Sequence, residues 1–243
     1  MDLNICHLYP DLLNVYGDIG NILILKYRAE QRNIEVNVSN VSMGDSFDSE
    51  KYDIVFFGGG QDYEQSIVSQ DLIATKKTEL QKYVEENKVL LSICGGYQLL
   101  GNYYTTPEGE KLEGLKILDI RTDGGNTRFI GNTVIKNEDS NEIYVGFENH
   151  SGRTYLGPSL KPLGKILVGY GNNGEDGFEG CIYKNTFGTY FHGSFLSKNP
   201  EFADRLIITA LNNKYDNVEL QPLDDSFEKN AKDFIISRET KNK

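Results

Sequence analysis

The chain has 243 residues, 38% of them hydrophobic and 25% charged, and a formal net charge of −11. That apolar content supports a buried core and excludes a disordered chain, and the length suits one large α/β domain or two small ones. An acidic chain gains nothing from the counterion release that drives nucleic-acid binding, and an anionic membrane surface repels it, so neither is an expected partner.

The opening Met1-Asp2-Leu3-Asn4 has no basic or apolar leader pattern, and no apolar run is long enough to cross a bilayer. A cytoplasmic protein without direct membrane insertion is expected. The cysteines, Cys6, Cys94 and Cys181, are widely spaced and form no CxxC pair. They suggest neither a disulfide framework nor a metal site, and the default for each is a small buried hydrophobe.

In chain order, Leu3 to Leu8 reads as a strand, followed by a loop from Tyr9 to Asp18 and a helix from Asn21 to Gln31. Ile34 to Val41 alternates like a strand. Ile54 to Phe57 is a short apolar run ending in Gly58-Gly59-Gly60, as expected of a strand buried on both faces. Glu64 to Asn87 carries helical spacing with a break near Thr75. Val89 to Ile93 is a second buried strand, and Gly95 to Leu100 starts a helix. This rhythm predicts a three-layer α/β sandwich around a mostly parallel, doubly wound sheet.

The second half is strand-rich. Leu115 to Ile120, Thr133 to Lys136, Ile143 to Phe147, Ile166 to Tyr170, Cys181 to Tyr183 and Gly188 to Phe191 are candidates, separated by turn clusters such as Gly171-Asn172-Asn173-Gly174. Pro200 to Asn212 and Ser226 to Ser237 read as helices, and Arg238 to Lys243 as a frayed end. Without a repeat or a linker, residues 1–243 read as a single domain.

Cys94 is the exception among the cysteines. A buried strand that turns sharply into a glycine-started helix, with Cys at the apex, is a nucleophile elbow. Ser92, Gly95 and Gly96 supply the small neighbours, the helix start favours the thiolate, and the Gly95 N–H is placed to donate to an oxyanion. The competing reading is a buried structural thiol, which has no need of those glycines.

A nucleophilic thiol needs a base, normally His. His192 ends the strand-like run Gly188 to Phe191 with small residues after it and leads the candidates. His150, in a more irregular loop, comes second. His7 lies inside the first strand, where a core role is the default. Gly58-Gly59-Gly60 offers either a phosphate cradle or a second oxyanion donor. Asp62 and Glu64 at the helix start, with no following Lys, disfavour phosphate. Gly17-Asp18-Ile19-Gly20 is only a weak look-alike of a nucleotide loop.

Cys94-Gly95-Gly96-Tyr97-Gln98 after an apolar strand resembles the motif of class I (triad-type) glutamine amidotransferases. A glycine-rich oxyanion loop and a late His ending a strand are matched by Gly58 to Gly60 and by His192. Leu13 to Asn21, Gly146 to His150, Gly169 to Asn173 and Gly188 to Gly193 are similar to the cobyric-acid-synthase-like branch. Within it, they are similar to glutaminase subunits that serve a Mur-ligase-like synthase.

The resemblance implies that Cys94 attacks the side-chain amide of L-glutamine, with His192 as the acid and base. It implies that Gly59 and Gly95 form the oxyanion hole, that Gln98 touches the substrate, and that Arg128 binds the substrate carboxylate. An ion pair at the surface is the competing reading of Arg128. No metal or cofactor is expected in this chain. ATP and Mg are expected on a heterodimeric partner that amidates the D-glutamate α-carboxyl of the lipid II stem peptide.

Two departures stand out. Ser92 replaces the usual Gly two residues before the nucleophile. The usual His-x-Glu is absent too, because the chain reads His192-Gly193-Ser194. The orienting acid is then dispensable, supplied from elsewhere in the chain, or supplied by the partner, and a poor glutaminase in isolation is the expectation. A stand-alone γ-glutamyl hydrolase or cysteine peptidase, and a non-catalytic binding module, are the competing functions.

Overall fold

A computed structural model describes residues 1–241. The elements run β1 (Asp2–Leu8), α1 (Ile19–Glu30), β2 (Glu35–Val41), β3 (Ile54–Phe57), α2 (Asp62–Asp71), a π-turn (Leu72–Lys76), α3 (Lys77–Glu85), β4 (Val89–Ile93) and α4 (Gly95–Leu99). Next come β5 (Tyr103–Thr105), β6 (Lys111–Glu113), β7 (Ile120–Lys136), β8 (Ile143–Leu156), β9 (Gly164–Val168), β10 (Phe178–Glu179), β11 (Cys181–Tyr183) and β12 (Thr186–Thr189). The chain closes with α5 (Pro200–Lys214) and α6 (Ser226–Thr240).

The first sheet has the order β11-β12-β4-β3-β1-β2, parallel throughout except for the β11 edge. Its central strands β3 and β4 are apolar except for Ser92 because both faces are covered: every residue of Ile54 to Phe57 and of Val89 to Ile93 is buried. The step from β1 to β2 and the step from β3 to β4 run in opposite directions along the sheet. Right-handed crossovers therefore put α1 and α2–α3 on opposite faces, which is the expected sandwich. The direction reverses between β1 and β3, and the carboxyl ends of strands at such a switch point are where α/β proteins bind ligands.

The second half builds another sheet, β10-β9-β7-β5-β6, with β8 paired along β7. Its long β7–β8 hairpin replaces the short separate strands expected at Thr133 to Lys136 and Ile143 to Phe147. A register shift between Gly124 and Phe129 interrupts the ladder. Leu115 to Asp119 is not a strand. Its amides bond the end of α4 (Leu115 N–H to Leu99 O, 2.9 Å; Ile117 N–H to Leu100 O, 3.0 Å), so its buried leucines pack as a loop.

The expected strand at Gly188 to Phe191 lies two residues earlier, over Thr186 to Thr189. Tyr190 leaves the ladder because its N–H donates to buried Glu179 Oε1 at 2.7 Å. The expected break near Thr75 is the π-turn. Arg238 to Thr240 continue α6 rather than fraying, and Glu239 Oε1 accepts from Asn132 Nδ2 at 2.8 Å. The last two residues of that expectation lie outside the described ones.

Candidate active site

Four loops meet at the carboxyl ends of β1, β3, β4 and β12. Cys94 occupies the elbow after β4 with φ 48° and ψ −105°, a strained conformation for a residue with a side chain. The strain is held by tight packing. Cys94 N–H donates to Thr189 O at 2.8 Å, Gly96 N–H donates to Gly58 O at 3.1 Å, and a Cβ on Gly96 would lie 2.6 Å from Phe57 O. Cys94 is 7% exposed, and it borders a pocket with Tyr16, Gln65, Gln98, Arg128 and His150.

His192 is fully buried beside Cys94. Its Nδ1 lies 3.1 Å from Asp18 Oδ1. A carboxylate only accepts, so Nδ1 carries the proton of this bond and Nε2 is left for the Cys94 sulfur. Burial opposes charge on the imidazole, but Cys94 and the Asp18 carboxylate outweigh it and raise His192 to about 10. The arrangement is a cysteine, an imidazole and a carboxylate in line, with the carboxylate fixing tautomer and orientation.

Asp18 is the acid missing from the usual position. It is fully buried, and its Oδ2 accepts the Gly59 N–H at 2.9 Å. One carboxylate thus holds both the base and the glycine loop. Of the three explanations for the absent His-x-Glu, the structure selects an acid from elsewhere in the chain. Asp18 lies in the Leu13 to Asn21 stretch that carries the family resemblance, yet no local signal marks it as a partner of His192.

The same bond corrects the expectation for Gly59, whose N–H is committed to Asp18 and is not a free oxyanion donor. Small size is what that position requires: a Cβ there would meet His192 Cε1 at 2.9 Å and Cys94 Cβ at 3.2 Å. Gly95 begins α4, so its N–H has no acceptor within the helix. A Cβ on Gly95 would lie 3.0 Å from Gly60 N, which makes Gly60 the neighbouring amide beside the elbow.

Arg128 lies in the irregular stretch of β7 and borders the pocket. Its Nε donates to Asn149 Oδ1 at 3.0 Å and its Nη2 to Asn149 O at 3.1 Å. It is docked on a neighbour in β8 rather than in a surface ion pair, and the guanidinium supplies the pocket with positive charge suited to a carboxylate. Gln98 also borders the pocket, with Nε2 donating to Tyr190 OH at 3.1 Å and Oε1 unpartnered among the described residues.

His150 is buried and borders the same pocket, its ring stacked on Tyr190 at 3.5 Å. Its Nδ1 lies 2.9 Å from Gly152 O. Burial pushes it down to about 3, so it stays neutral. His7 is a core histidine in β1, packed on Phe56, and burial lowers it to about 4. No group of His, Cys, Asp and Glu among the described residues has a metal-binding arrangement.

An elbow cysteine with an in-line histidine and carboxylate, at the switch point of a parallel sheet, defines a triad-type amidotransferase site. Residues 4–200 match the CobB/CobQ-like glutamine amidotransferase domain, and the chain belongs to that family.

Two relatives narrow the comparison. The chain is 54% identical over 214 residues to lipid II isoglutaminyl synthase (glutamine-hydrolyzing) subunit GatD of Streptococcus pneumoniae, covering 88% of this chain and 82% of the relative. It is 44% identical over 242 residues to the protein of the same name from Staphylococcus aureus, covering 100% and 98%. Among solved structures, PurLQS from Thermotoga maritima is similar in fold, with a TM-score of 0.56 at 18% identity over 87% of this chain and 99% of that one.

Proposed function

We propose that the chain is the glutaminase subunit of a lipid II isoglutaminyl synthase. It hydrolyses L-glutamine and passes ammonia to a Mur-ligase-like partner, which uses ATP and Mg to amidate the D-glutamate α-carboxyl of the lipid II stem peptide. The observation that carries the chemistry is the Cys94–His192–Asp18 line beside a pocket that holds Arg128. Identity to the two subunits named above supports the acceptor and the partner.

In the reaction, Cys94 gives its thiol proton to His192 Nε2 as the sulfur bonds the side-chain carboxamide carbon (Cδ) of glutamine, and the carbonyl oxygen takes the negative charge beside the Gly95 and Gly60 amides. The C–N bond breaks as His192 gives its proton to the nitrogen, and ammonia leaves a γ-glutamyl thioester. His192 then takes a proton from water, whose oxygen bonds the carbon. The C–S bond breaks as His192 returns that proton to the sulfur, releasing glutamate and restoring the thiol. Asp18 holds the ring through both steps.

The test is reconstitution with the Mur-ligase-like partner, ATP, Mg and lipid II. Amidation driven by glutamine should disappear in Cys94→Ala and return when ammonium salt replaces glutamine. Amidation by Cys94→Ala with glutamine as the only nitrogen source would remove the glutaminase role. Hydrolysis of γ-glutamyl peptides without any amidation would favour the stand-alone hydrolase.

A further inference from the structure

Gln65 stands in the first turn of α2, 2% exposed and bordering the Cys94 pocket. Its Nε2 donates to Gly60 O at 3.2 Å. Only the NH2 end of a carboxamide donates to a carbonyl, so this bond fixes which end faces which way. The other end, Oε1, is buried and has no hydrogen-bond partner among the described residues. Native proteins seldom bury a carbonyl oxygen unsatisfied, and one held beside a nucleophile is placed for a ligand's N–H.

The position is close to the reacting centre. A Cβ on Gly95 would lie 3.0 Å from Gln65 Cδ and 3.2 Å from its Cγ, as well as 3.0 Å from Gly60 N. The Gln65 carboxamide therefore lies against the residue that follows the nucleophile, next to the two amides that face a tetrahedral oxygen. Whatever flanks the oxygen of a bound carboxamide is also near its nitrogen. Gln98 is built in the same way, with an anchored Nε2 and an unpartnered Oε1.

We propose that Gln65 is a specificity-determining residue whose Oε1 accepts an N–H of the substrate γ-carboxamide and so selects amide over acid. This rests on the glutaminase reading above. A carboxamide nitrogen brings two N–H donors, whereas a glutamate carboxylate brings only lone pairs, which a fixed carbonyl oxygen repels. Discrimination built on a buried polar partner is steep, because the wrong ligand leaves that partner unpaired. The departing ammonia still carries N–H groups, so the acceptor serves it as the C–N bond breaks.

The competing account is that Gln65 only holds the Gly60 loop. Gln65→Met keeps the bulk and removes both hydrogen-bonding ends. Three reactions of the chain assembled with its Mur-ligase-like partner separate the accounts: hydrolysis of L-glutamine, hydrolysis of L-glutamate γ-methyl ester, and alkylation of Cys94 by a diazo-ketone analogue of glutamine. Neither the ester nor the diazo-ketone has an N–H at the reacting end.

In Gln65→Met, kcat/KM for glutamine should fall by roughly tenfold or more, the ester and diazo-ketone reactions should keep their wild-type rates, and inhibition by glutamate should tighten. Equal losses in all three reactions, or no loss in any, would overturn the proposal. Should Gln65→Met fail to fold in a thermal melt, Gln65→Leu must give the same substrate-dependent pattern. A wild-type assembly that neither hydrolyses glutamine nor is alkylated at Cys94 would instead sink the glutaminase reading.

Discussion

Two buried histidines stand near Cys94, His192 beside it and His150 in the wall of the pocket it borders, and their pKa values are shifted in opposite directions. His192, after β12, is raised to about 10, whereas His150, on β8, is lowered to about 3. Burial pushes both downward, so burial does not separate them. What separates them is the company each keeps. His192 faces Cys94 and Asp18, while His150 bonds the carbonyl of Gly152 and feels the positive charge of Arg153, His192 and Arg128. The partners of His192 come from loops distant in the chain, whereas the Gly152 carbonyl is two residues away in the same strand. Which imidazole gains charge is thus a property of the loop junction, not of the residue type.

The sharpest way to break the comparison is to remove the base. His192→Gln should lower glutamine hydrolysis by roughly 10⁴-fold, with the circular-dichroism spectrum unchanged. A loss of only a few-fold would remove the base role from His192 and leave His150 as the candidate.

Asp18→Asn should come next, with kcat down by ~10²- to 10⁴-fold in steady-state assays. It should also alter stability with pH. His192 is raised above its ordinary value of 6.5, so its contribution to stability is present in full below that value and is lost as pH rises through about 10. The stability gap between wild type and Asp18→Asn should therefore narrow as pH rises from 6.5 and close toward about pH 10 in denaturant titrations.

His150→Phe, which keeps a ring against Tyr190, should act in the opposite window. The folded-state pKa of His150 is depressed, so its contribution is present above 6.5 and is lost as pH falls toward about 3. The variant should lose less stability than wild type on acidification. An identical acid profile would mean that His150 titrates normally in the folded protein.

The smallest effect is expected at Cys6. Burial pushes its thiol far up and that of Cys181 to about 12, so alkylation of the native protein at neutral pH should be confined to Cys94. Cys6→Ala should leave glutamine hydrolysis unchanged and cost about 1 kcal/mol of stability.

The parallel half of the fold was legible because its signals are local. Ile54 to Phe57 and Val89 to Ile93 are short apolar runs closed by glycines, and only strands buried on both faces are written that way. The β7–β8 hairpin was not, because its length is set by cross-strand pairing that resumes past the irregularity between Gly124 and Phe129, and no local pattern marks that pairing. Leu115 to Asp119 failed in the opposite sense. Its leucines carry the composition of a strand, but they are buried against the end of α4, where backbone partners outside a ladder were available.

Within the site, Arg128 and Gln98 border the pocket, while the Gly59 N–H expected to be an oxyanion donor is taken by Asp18. Gln65 carried no signal, since its importance lies in one unpartnered atom.

The run from Val89 to Gly96 by itself determined that Cys94 sits at an elbow. Strand burial and the need for small residues at a strained turn are both written within a few positions. Only the tertiary structure decided what activates the base. Asp18 and His192 are 174 residues apart, and they meet because strand order sets β1 and β12 on either side of β3 and β4, with their following loops converging at one edge. That adjacency follows from crossover handedness and sheet order, which no spacing in the neighbourhood of either residue encodes.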